Sequence, residues 1–125
     1  MEISVRQRAL EKLSREQNEE NLWDAVVAFQ GYTFCTYSGL EFSYRMKKGR
    51  DGEYTRELFI DRRENSKSLA WSSVLLAFGK IEGHPLVERP KAMGDIRGVT
   101  YIYAIFFRFG LIDVPEKVKE KMIFL

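Results

Sequence analysis

Residues 40–47 read Leu-Glu-Phe-Ser-Tyr-Arg-Met-Lys. Leu40, Phe42, Tyr44 and Met46 alternate with Glu41, Ser43, Arg45 and Lys47. That two-residue period is a strand with one side toward a core and the other toward water. Upstream, Tyr32–Tyr37 is aromatic and Thr-rich, which suits extended backbone, and Ser38-Gly39 is a turn signal. Downstream, Lys48–Glu53 holds two glycines and an aspartate, as a hairpin connection would. Beyond it Leu58 and Ile60 alternate with Glu57, Phe59 and Asp61. The expectation is an antiparallel meander of three strands, at about 32–37, 40–48 and 55–62.

On either side of the meander the period becomes helical. Asn18 can cap a helix over 19–30 whose first turn carries Glu19 and Glu20, acids suited to the positive end of the dipole. Leu22, Ala25, Val26 and Phe29 form its apolar face, and Gly31 ends it. Asn65 or Ser66 can cap a helix over 66–81 with Trp71, Val74, Leu75, Phe78 and Ile81 facing inward, stopped by Gly83 and Pro85. Residues 84–97 read as an irregular surface connection. A third helix over 98–110 presents Ile102, Ile105, Phe106 and Phe109 and closes at Gly110. Residues 1–18 read as a peripheral helix with Leu10 and Leu13 as a thin stripe, and Pro115 can open a short C-terminal helix within 113–125. The fold class expected is α+β, one domain over 1–125.

Composition agrees with one core. The chain has 125 residues, 45% hydrophobic and 30% charged, and nine Phe, six Tyr and two Trp supply large side chains to bury. A net charge of only +2 gives no bulk attraction to nucleic acid or to an anionic membrane, so such binding needs local clustering. The lone Cys35 cannot form an internal disulfide, and no secretory leader or membrane span is legible; a cytoplasmic location is expected.

No catalytic or metal-binding constellation is legible, and no cofactor is implied. His84 is the one histidine and lies beside Pro85, far in sequence from Cys35, so neither a Cys-His pair nor a two-His metal site is available within one chain. The protein is therefore not read as an enzyme. Asp51, Glu53, Glu57, Asp61 and Glu64 are interleaved with Arg50, Arg56, Arg62 and Arg63, a pattern read as cross-strand ion pairs.

Positive charge concentrates in one place. Between Arg45 and Lys67 stand eight basic residues and five acids, whereas the first 24 residues carry four basic and six acidic. A basic hairpin running into a helix start could bring Arg45, Lys47, Lys48, Arg50, Arg62, Arg63, Ser66, Lys67 and Ser68 against a phosphate backbone. A nucleic-acid partner is the leading expectation. The alternative, from a different class, is a protein-interaction or homodimerisation module using surplus aromatics such as Phe59, Tyr101, Phe107 and Phe109. The order helix, three strands, helix looks like a double-stranded RNA-binding domain, but Lys67 stands alone where such domains cluster lysines, and the first turn is short.

A further resemblance rests on four segments: Gly31–Phe34, Ser38–Tyr44, Phe59–Ser68 and Tyr101–Ile112. These resemble a group of small uncharacterised proteins from gut Clostridia-type bacteria, over about residues 22–112. The resemblance implies a bacterial cytoplasmic origin and transfers no functional residue.

Overall fold

A computed structural model describes residues 4–61 and 67–123, with Lys67 described by its backbone alone. The chain is α+β: helices α1 (Val5–Arg15) and α2 (Glu19–Ala28), strands β1 (Phe34–Cys35), β2 (Glu41–Arg45), β3 (Glu57–Asp61) and β4 (Lys67–Ala70), then α3 (Trp71–Phe78), α4 (Val99–Arg108) and α5 (Glu116–Met122). The strands form one antiparallel sheet in the order β1-β2-β3-β4. Among the described residues no helix is long and apolar enough to cross a membrane.

The period-two reading holds where it decides the fold. Phe42, Tyr44 and Met46 are buried, and so are Leu58 and Ile60, while Glu41, Arg45 and Lys47 are exposed. Tyr44 faces Ile60 and Leu58 faces Leu69, so one side of the sheet joins apolar residues of β2, β3 and β4. The helices cover that side. Tyr44 donates its hydroxyl to the carbonyl of Val26 in α2, Phe29 packs on Phe34 and Phe109, and Phe42 meets Tyr101 of α4 edge to face. Leu40 departs from the pattern: it lies in the β1–β2 turn, 54% exposed, because the pleat begins only at Glu41.

The principal correction concerns residues 66–81. Instead of a helix from Ser66, the chain forms a fourth strand over Lys67–Ala70, and α3 starts at Trp71. Pairing of Leu69 with Leu58 buries Leu69 against the core and gives its backbone a ladder, which outweighs the helix propensity of Lys67, Leu69 and Ala70. The proposed caps Asn65 and Ser66 lie outside the described residues. Ala70 occupies the cap position and makes no side-chain cap bond.

Other elements are shorter than the sequence suggests but stand where it puts them. Asn18 caps α2 by accepting from the amide of Asn21. Gly110 and Leu111 close α4 with N–H bonds to Phe107 and Phe106. Residues 84–97 are more than surface: they hold a 3₁₀ turn (Pro90–Met93), bury Val87, Met93 and Ile96, and pair Leu86 with Asp113 in a parallel bridge.

Candidate functional site

The outer side of the sheet carries Arg45, Phe59 and Ser68 in one row across β2, β3 and β4, because Arg45 pairs with Phe59 and Phe59 with Ser68. Arg45 and Ser68 are exposed and Phe59 is half-buried. Lys47, one pleat beyond Arg45, places its ammonium 4.4 Å from the centre of the Phe59 ring. Two further rings beside the same hairpin are capped in the same way. Lys48 lies 5.4 Å over Tyr54, and the Arg56 guanidinium lies 3.9 Å over Trp23 of α2.

Among the described residues these contacts stand where cross-strand ion pairs were expected, and Arg62, Arg63 and Glu64 of that expectation lie outside them. Among the described residues the salt bridges are those of Lys119 with Asp113 and Glu116, far from the hairpin in sequence. Carboxylates beside Arg and Lys on an exposed sheet gain little from pairing, since solvent screens them and the long side chains lose freedom. A ring face offers the cation an apolar stem contact as well as a charge–quadrupole attraction.

The structure divides the residues singled out from the sequence. Arg45, Lys47 and Ser68 come together around Phe59, so members of two rival readings share one surface. Lys48 and Arg50 stand at the hairpin's far end, where the tip folds as expected: Gly49 donates to the carbonyl of Glu53, and Asp51 accepts from the Glu53 amide. Lys67 pairs with Ile60 in β4 rather than opening a helix. Arg62, Arg63 and Ser66 lie outside the described residues. The helix-start phosphate site thus gives way to a strand.

The aromatic alternative is corrected too. Tyr101 and Phe109 are buried in the core, so neither can serve as an exposed docking residue. Phe107 is half-buried over a groove of about 350 Å³ with Cys35 and Arg108, away from Phe59. Cys35 is itself buried, and burial, with Glu41 nearby, pushes its thiol above the usual range, the opposite of a nucleophile. His84 is exposed in a left-handed turn (φ 58°), with its Nδ1 2.8 Å from the carbonyl of Gly110.

One feature was invisible in the sequence. A cleft of about 610 Å³ runs from Glu41 at the start of β2 and Ser68 of the edge strand β4 to the start of α4, and is lined also by Phe42, Ile96 and Tyr101. Three distant segments build it, and no local pattern marks them as neighbours. Comparison with protein families, curated proteins and solved structures yields no match to this chain.

Proposed function

We propose that the protein binds single-stranded nucleic acid on the uncovered side of its sheet. The observation that carries this reading is Phe59, a half-buried ring flanked across the strands by Arg45 and Ser68, with Lys47 seated 4.4 Å over it. Magnitudes favour an exchange of partners. An exposed cation–π contact is worth about 0.5–1 kcal/mol, whereas stacking a base on an aromatic ring is worth about 1–3 kcal/mol. A base can therefore displace Lys47 from the ring, and the freed ammonium then meets the adjoining phosphate. Arg45 supplies a second phosphate contact from the same row.

The same surface carries Glu41, Glu57 and Asp61, so stacking rather than bulk charge must lead the interaction. A duplex, whose bases are already stacked, cannot use Phe59. Fluorescence anisotropy with short single strands and a matched duplex, at low and moderate salt, tests the reading. Single strands are expected to bind more tightly than the duplex. Phe59→Ala should weaken single-strand binding about tenfold, and Lys47→Ala should lower the salt slope by about 0.7. Absence of single-strand binding at low salt overturns the proposal.

A further inference from the structure

The cleft beside Ser68 adjoins the row that holds Phe59, since Ser68 is at once the cross-strand neighbour of Phe59 and part of the cleft wall. We infer that this cleft receives one unstacked base of the strand lying over Phe59; the inference rests on the platform reading above. Four features support it. Its volume, about 610 Å³, lies in the range of small-ligand sites. Part of the lining is apolar and aromatic, with Phe42 and Tyr101 meeting edge to face at 5.0 Å. The wall carries Thr100, which is exposed and whose hydroxyl has no hydrogen-bond partner among the described residues, while Ser68 borders the cleft from the edge strand β4.

The fourth feature is charge. Lys91 and Arg97 are offset by Glu41 and Asp95, and none of the four enters a salt bridge among the described residues. The described part of the lining carries no net charge and so does not select a phosphate. It does offer both donors and acceptors around apolar side chains, which suits the edges of an uncharged nucleobase. The division of labour follows: phosphates stay outside with Arg45 and Lys47, one base stacks on Phe59, and a neighbouring base turns past Ser68 into the cleft. The base in the cleft is read by its edge, so the protein discriminates among sequences although its platform does not.

The test compares short homopolymers of the four bases on the intact protein. One homopolymer is expected to bind about tenfold more tightly than the weakest, the discrimination one set of base-edge contacts supplies. Thr100→Tyr, an exposed position whose larger ring fills the mouth, should erase that preference while Phe59-dependent binding persists. Phe59→Ala should lower binding of all four alike. As a measurement independent of any variant, adding each uncharged nucleoside to the wild-type protein should shift the amide resonances of Ser68, Ile96 and Thr100, and leave Arg50 unmoved. Equal binding of the four homopolymers, a preference that survives Thr100→Tyr, or still resonances at the cleft each overturn the inference and leave the platform reading standing. Failure of every homopolymer to bind overturns both. If Thr100→Tyr does not fold, the nucleoside shifts decide.

Discussion

At Gly98 the backbone has φ +78°, and a Cβ built there would lie 2.5 Å from Cδ1 of Leu69. The left-handed turn costs an L-residue about 1–2 kcal/mol, and forcing a methyl group against a packed leucine about 1–3 kcal/mol more. Gly31 has a similar φ of +81° but open space around it, so only the first cost applies. Gly98→Ala should therefore lose about 2–5 kcal/mol in urea unfolding and Gly31→Ala about 1–2 kcal/mol; equal losses would show that Leu69 yields freely. Tyr103 supplies a second residue-scale prediction. It is buried, its hydroxyl donates to the carbonyl of Val87, and burial, with smaller contributions from Tyr37 and Asp113, pushes its pKa up to about 12. Burial raises Tyr44 further still. The sign follows directly. The protonated phenol is favoured in the folded state, so the stabilisation is complete below about pH 10, where the unfolded chain titrates, and is lost as pH rises through about 12. Urea midpoints measured across that window should fall, and the fall should be shallower in Tyr103→Phe.

Among the elements, α1 packs chiefly on α2. It buries Ala9 and Leu13 against α2 and is fastened by Arg6, which donates to the carbonyls of Ala28 and Gln30 at 3.0 and 2.9 Å. The guanidinium also lies over Phe29 and Tyr32, and Arg108 reaches Tyr32 by donating to its hydroxyl. Arg6 thus satisfies carbonyls that the end of α2 leaves open. Arg6→Ala should cost about 1.5–3 kcal/mol, and hydrogen exchange should show α1 amides losing protection while those of α4 keep theirs. The strand-to-helix junction gives a stabilising counterpart. Ala70 sits at the N-cap of α3 with extended backbone and no capping side chain. Ala70→Ser should raise stability by about 1 kcal/mol in the same unfolding assay. Serine is preferable to aspartate because the cross-strand partner is Glu57.

On the scale of the whole molecule, buried residues from every helix and from the sheet join one cluster. A single core of this kind should unfold in one transition, with near- and far-ultraviolet circular dichroism coinciding; separate midpoints would show that the sheet and α4 are independent units. Because the helices gather on one side, the other side of the sheet is left to water, and that is where Arg45, Phe59 and Ser68 become neighbours. The sequence by itself determined the inward positions of β2 and β3, the hairpin between them, the α2 cap at Asn18 and the apolar stripe of α4. Each of these is written in local periodicity or turn chemistry, which act over a few residues. Only the tertiary structure decided that Lys67–Ala70 is a strand, that hairpin cations sit on rings, and that Glu41, Ser68 and Thr100 border one cleft. Those outcomes depend on which distant segment supplies a ladder partner, a ring face or an opposing wall, and such pairings are settled by packing the whole chain at once.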